Sequence, residues 1–522
     1  MKIKNIIALI FLAQATMVQA QDIESIVVVG SVKRYEVPDP VIDLTLIEKL
    51  QPESVFNAGN IGGFSGFTER GTQVIHTTVY RNGMPVNDAG SGWYDFGHDF
   101  STGNEYVTIV DGANSVLYGS GSLGGTVFIN DMLHESMLVR MGNDQLMLSN
   151  TFDDLLNVSY IRANNGSVRT DNTEVDYYEN LSGRTVFDID KFTVSANLSA
   201  YRYDFDQCWT NQFLYTNDCQ QDGLRGTITV RDDSNTFGYS FNRASFYSEN
   251  DKTWNSNAHR FYFDKRERIV NNSNQYTILG ITVNDEHYAG SNQTLVDVYG
   301  VINFKDRFSI GARANKSGLS TRVGFTKDLF YANAGTSFRN PTLYELHGDA
   351  FVLSNNSLKQ EKAIGFDIGY GPLGFYRYEF SEGIDYDFSN NQFINTGKYT
   401  AQGVRFQDSF SIPYGDISIV LGYTDTTQPR APKYKTRLDY NVFYSDYKLT
   451  ASYSGMFDRG NEFTGEQLKD INTVDLAISK FIDSRSRLKV SFTIQDLLNK
   501  RFEFVPGYSA GGRNFFLTMQ YN

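Results

Sequence analysis

The chain has 522 residues and is 40% hydrophobic, 14% aromatic and 20% charged, with 33 Tyr and 39 Phe against 10 Pro and 2 Cys. Such a composition excludes a disordered chain. A formal charge of −13 argues against nucleic acid as a partner, because that contact needs a basic surface to displace counterions. Mean hydropathy is below zero, so apolar surface must be hidden in alternation rather than in blocks.

The one long apolar run, Ile6 to Ala13, follows Lys2 and Lys4 and precedes Val18-Gln19-Ala20. This is the pattern of a secretory signal peptide over residues 1–20. No later segment approaches the roughly 20 apolar residues of a membrane helix. Residues 21–33 form a short β-prone linker, and 34–131 alternate Gly-dense stretches with β-branched runs, which predicts a small mixed domain with tight turns.

From 132 to 522 the texture becomes monotonous, with segments of about ten residues that alternate apolar and polar. Phe192, Val194, Ala196, Leu198 and Ala200 share one face of such a strand. Phe237, Tyr239 and Phe241 do the same, and so do Val296, Val298, Gly300, Ile302 and Phe304. Phe330, Ala332, Ala334, Thr336 and Phe338 repeat the device. Apolar outward and polar inward is the dyad period of a barrel wall in lipid. A soluble propeller would add a blade repeat of about 40 to 50 residues, and none is found.

Two strings mislead. Gly119-Ser120-Gly121-Ser122-Leu123-Gly124 spells the dinucleotide fingerprint, but the β-branched Thr126-Val127-Phe128-Ile129 follows where a helix N-terminus is needed to meet the pyrophosphate. Gly507-Tyr508-Ser509-Ala510-Gly511 spells a nucleophile elbow, yet all six histidines precede Ser509, whereas that fold places its catalytic His afterwards. The histidines have no metal-ligand spacing. No catalytic residue, metal site or cofactor is expected, and the protein is not read as an enzyme.

Read with their neighbours, the same glycines carry a resemblance. Ser115 to Ile129 (SVLYGSGSLGGTVFI), with Tyr118, Gly119, Gly121, Gly124 and Gly125, resembles the end of the plug domain of TonB-dependent outer-membrane receptors. Tyr80 to Asp88 (YRNGMPVND) looks like that plug's earlier strand and turn, and Arg70-Gly71 fits its Arg-Gly pair. In the second region Ser337 to Leu346 (SFRNPTLYEL), Asn356 to Glu361, Ile364 to Tyr370, Asn395 to Phe406 and the stretch from Val490 to Tyr521 are similar, in order, to barrel signatures of the cobalamin and siderophore branches. Glu24, Ser25, Ile26, Val27, Val28 and Val29 look like a TonB box, an extended segment captured by strand addition.

The resemblance implies an all-β membrane protein: a 22-stranded antiparallel transmembrane β-barrel over 132–522, with an N-terminal α+β plug domain (34–131) in its lumen. Strands of about ten residues would use about 220 of the roughly 390 available, which leaves room for compact loops. It further implies a bacterial outer-membrane location, outer-membrane lipid as surroundings, and TonB with its inner-membrane motor as partner. The cargo would be a scarce small molecule or metal chelate, with siderophore, haem, cobalamin and oligosaccharide all open. A passive porin would explain the wall but not residues 22–131. Asp111-Gly112-Ala113 stands where the family usually has Arg-Gly-Pro, which removes a cation that helps hold plug to wall.

Ligand contacts are expected from plug apices and outer loops. Trp93, Tyr94 and His98, within SGWYDFGHD, and more weakly Trp209 and Tyr215, offer aromatic and polar groups for a flat or amphipathic ligand. Plug packing or an interfacial girdle is the alternative role for these aromatics. Cys208 and Cys219 flank Trp209 and Tyr215, and in an oxidising compartment they would close a disulfide loop, two free thiols being the alternative.

Overall fold

The computed structural model describes residues 61–68, 70–166, 175–206, 208–209, 215–216, 218–249, 251–268, 275–304, 307–349, 352–427, 431–460, 467–482, 487–505 and 508–521. At 32–35, 54–57, 166, 209, 215, 251–252, 504–505 and 508–511 it describes the backbone only. The expected signal peptide and TonB box (Glu24 to Val29) lie outside the described residues.

Among the described residues 22 strands close into one antiparallel barrel. The seam joins the first barrel strand, β8 (Ser136–Gly142), to the last, Asn514–Tyr521, with Met137 opposite Tyr521. Closure leaves this sheet without an edge of unpaired backbone groups. The alternation read from the sequence sets the two faces. On Glu361–Tyr370 every second residue is buried, so Ile364, Phe366 and Ile368 are exposed while Ala363 and Asp367 face the lumen. Val296, Val298, Ile302 and Phe304 point outward from Ser291–Phe304, and Asp297 points in. Phe338 departs from the expected outward set: it is buried, because this strand end hugs the plug, with the Phe338 carbonyl accepting from Gly121 N–H at 3.2 Å.

At one end of the barrel the connections are turns such as 190–191, 328–329, 371–372 and 445–446. At the other they include 206–218, 340–360 and 496–513. Cys208 and Cys219 form a disulfide across 206–218, with Cα atoms 6.0 Å apart.

The lumen is filled by a mixed sheet. Its strands are β1 (Val32–Tyr35), β4 (Thr77–Arg81), β5 (Met84–Pro85), β6 (Glu105–Asp111) and β7 (Gly125–Asp131), in the order β1-β6-β7-β4-β5. A separate pair, β2 (Ser54–Asn57) and β3 (Ser65–Phe67), lies beside it in sequence. β4 and β7 run parallel, and the other pairs antiparallel. Val79, Val107, Ile109, Val127 and Ile129 bury one face with Phe67, Tyr94 and Phe96. The Gly-rich string forms the turn between β6 and β7. It opens with a single helical turn, α1 (Ser115–Tyr118), and Gly119 then takes φ +78, a left-handed conformation that side chains disfavour. Gly124 is needed for space, since a Cβ there would lie 2.3 Å from Thr72 Oγ1. A strand, β7, follows the glycines where a nucleotide site would need a helix.

Candidate functional site: an aromatic cavity between plug and wall

The plug is gripped from several sides. Arg70, in the Arg-Gly pair, reaches Asp111 at 2.9 Å within the plug, and on the wall it reaches the Tyr378 hydroxyl at 2.5 Å and Asp367 at 3.7 Å. Asp111 therefore does not leave the lock empty. It is fully buried and anchors the guanidinium that the wall holds. Further round, Gln73 N–H donates to His76 Nδ1 at 3.1 Å, which leaves Nε2 to donate to Glu361 of the wall at 3.0 Å. Glu361 and Glu345 both take Arg339, and Glu345 also closes a capping box with Thr342 at the start of α2 (Leu343–His347). The signature SFRNPTLYEL thus folds as strand end, cap and helical turn around one arginine. Arg313 of the wall donates to the carbonyls of Val116 and Leu117, both at 2.9 Å, so the helical turn's unpaired C=O groups are satisfied by the barrel. Arg184 of the wall pairs with Glu105 of β6. Much of the cationic grip comes from the wall.

Above this lock, at the end with the long connections, lies a cavity of about 410 Å³. The plug supplies Phe64, Asp88, Trp93, Tyr94 and Asp95, and the wall supplies Tyr201, Tyr203, Phe205, Trp254 and Tyr288. Tyr344 and Asp349 reach in from connection 340–360. Its rings pack in groups: Phe64 to Trp93 at 5.0 Å, Tyr203 to Phe205 at 5.3 Å, Trp254 to Tyr288 at 5.8 Å and Tyr288 to Tyr344 at 5.7 Å between centroids. The size suits one small organic ligand.

Of the residues expected there, Trp93 is the one that offers itself, being 40% exposed. Tyr94 lines the floor but is buried, with its hydroxyl donating to Asp99. Burial drives the Tyr94 hydroxyl well above its ordinary pKa, so it remains a donor. Burial also acts to raise Asp99, yet Arg225, Arg81 and the Tyr94 hydroxyl outweigh it and hold that carboxyl below its usual value. His98 does not reach the cavity. It is buried beneath it, stacked on Tyr201 with centroids 3.6 Å apart, and its Nε2 lies 3.3 Å from Asp95 Oδ2. It props a cavity ring from below. Trp209 and Tyr215 pair as backbone partners in the hairpin closed by the disulfide, and their side chains lie outside the described residues. The sequence reading missed the wall aromatics, although one signal was present: Tyr201, Tyr203 and Phe205 occupy the inward parity of the strand Phe192–Phe205, opposite to Val194 and Leu198.

Residues 46–126 match the family model of the TonB-dependent receptor plug domain. Over 94% of its length the chain is similar in structure to solved siderophore receptors. A mutant ferric enterobactin receptor from Pseudomonas aeruginosa (PfeA), solved with enterobactin, superposes with a TM-score of 0.72 at 13% identity, over 94% of this chain and 99% of that one. The siderophore receptor PirA from Acinetobacter baumannii gives 0.72 at 13% identity, over 94% and 98%. PirA from Pseudomonas aeruginosa gives 0.68 at 16%, over 94% and 98%. Closed 22-stranded wall, lumenal plug and plug-family match together define the architecture: a barrel and plug of the kind found in TonB-dependent receptors.

Proposed function

We propose that the protein is an outer-membrane receptor that binds a scarce nutrient at its long-loop end and imports it with work delivered through TonB. The observation that carries this reading is the mixed ancestry of the cavity. Trp93, Tyr94 and Asp95 belong to the plug, so a ligand touching them alters the plug's own contacts as well as the wall's. A passive pore has no use for such a floor. A second space of about 100 Å³ lies between Gly119–Gly121 of the plug and Arg260, Glu286 and Asp297 of the wall.

Energy has to come from elsewhere because this membrane holds no nucleotide supply or sustained gradient, and Glu24 to Val29 is the segment suited to receive it by strand addition. The siderophore receptors of like fold support a metal chelate as one cargo class, and no covalent step is required of the protein. Titrating the isolated periplasmic domain of TonB against the purified protein tests the reading. Binding is expected with the full chain and lost when Glu24 to Val29 is deleted. Equal binding by both forms would overturn the assigned TonB box.

A further inference from the structure

The receptor reading leaves the ligand's chemistry open, and the charge of the cavity narrows it. Among the described residues that line it there are four carboxylates, Asp88, Asp95, Asp206 and Asp349, against one guanidinium, Arg225, and no lysine. That guanidinium has little accessible surface, although its Nε and Nη2 make no hydrogen bond among the described residues. Arg225 is buried, its Cζ lies 4.9 Å from the Tyr94 ring centroid and 5.5 Å from that of Tyr201, and Nη1 donates to the Asp95 carbonyl at 3.4 Å. Its charge is also shared with Asp99 below the floor. His98 is the other group beneath, and it faces Asp95 rather than the cavity.

The apolar part of the lining adds to the same preference. Trp93 is exposed, and Phe64, Phe205, Trp254 and Tyr344 are half-buried. The face of an aromatic ring is electron-rich and attracts a cation, while its area favours a flat partner. Asp88 accepts from Gly90, Ser91 and Ser256, Asp95 from Ser65 and Gly97, and Asp349 from Val352, so the carboxylates act on a ligand through their field, in the same sense as the ring faces. In a walled space their field is screened less than on an open surface, and one sign of charge lining a cleft concentrates counter-ions of the other. A polyanion would meet both features unfavourably.

Resting on the receptor reading, we propose that this cavity takes a ligand carrying net positive charge on or beside a flat unsaturated group, and rejects polyanionic chelates such as ferric tris-catecholates.

The chain has three tryptophans, and two of them, Trp93 and Trp254, line the cavity, so intrinsic fluorescence reports its occupancy. The purified full-length protein is titrated with N-methylquinolinium, with quinoline-2-carboxylate as a like-shaped anion, and with ferric tris-catecholate. Saturable quenching by the cation is expected, with a Kd at least about tenfold below that of either anion. The affinity should fall as salt is raised, and the double substitution Asp206→Asn with Asp349→Asn should weaken it about tenfold. If the double variant loses heat-modifiable migration on gels, the salt dependence of the unaltered protein decides. Affinity independent of ionic strength, an anion bound as tightly as the cation, or no quenching by any probe overturns the charge assignment. Should an anion win while TonB capture through Glu24 to Val29 persists, the charge assignment fails and the receptor reading stands. Loss of capture as well would take both.

Discussion

Trp93 stands where a ligand would make its largest contact with the plug. Its indole is 40% exposed although Phe64 lies 5.0 Å away, so a ligand that covers it removes apolar area from water, worth about 1–2 kcal/mol. Trp93→Ala is expected to weaken N-methylquinolinium binding about tenfold, measured by calorimetric titration, with the melting profile unchanged. Undiminished affinity would remove Trp93 from the site. Asp99, just below, behaves differently. Its carboxyl is held under its ordinary pKa, so the stability it contributes is complete above the unfolded value near pH ~4 and is lost only as pH falls through the lowered folded value. Amide exchange in β4 and β7, corrected for intrinsic rates, should stay flat from pH ~7 to ~4 and accelerate below that. Acceleration beginning near pH ~6 would show that another group governs the plug's acid limit. Trp93 and Tyr94 were legible in the sequence because they sit in one short string. Tyr201, Trp254, Tyr288 and Tyr344 were not, because barrel closure, rather than chain proximity, brings them together.

The elements that hold the plug use a charge pattern that local reading misjudges. Asp111 at the end of β6 reads as a lost cation, yet it receives Arg70 from another part of the plug and so fixes the guanidinium that Tyr378 and Asp367 grip from the wall. The Arg70-Gly71 pair itself was legible as a motif, whereas its partner 41 residues away was not. Arg70→Ala would leave two buried carboxylates without that guanidinium, a change that costs about 3–5 kcal/mol when a buried pair is broken. Amides of β6 should then exchange at lower denaturant concentration, while the barrel keeps its heat-modifiable migration. An unchanged midpoint would place the lock instead at His76, Glu361 and Arg339. His98 shows a related limit: its neighbours in sequence suggest a ligand contact, but the turn after Asp95 points it under Tyr201.

At the scale of the whole molecule the wall was the most legible feature, because a period of two residues is written into each strand and repeats across the chain. What sequence alone could not fix was which strands meet at the seam, where the plug's grip lies, and that one long-loop vestibule is aromatic and acidic. These depend on register around a closed ring, set by pairings such as Phe516 with Gly142. The excess of Tyr and Phe accordingly serves two surfaces, the outer face of the barrel and the lining of the cavity. The central claim is that this cavity serves energised import. It is tested most directly in cells by following the solute that mass spectrometry finds retained on the purified protein, with and without residues Glu24 to Val29. Cell-surface binding preserved with uptake abolished is the expected result, and uptake that continues undiminished after the deletion would contradict it.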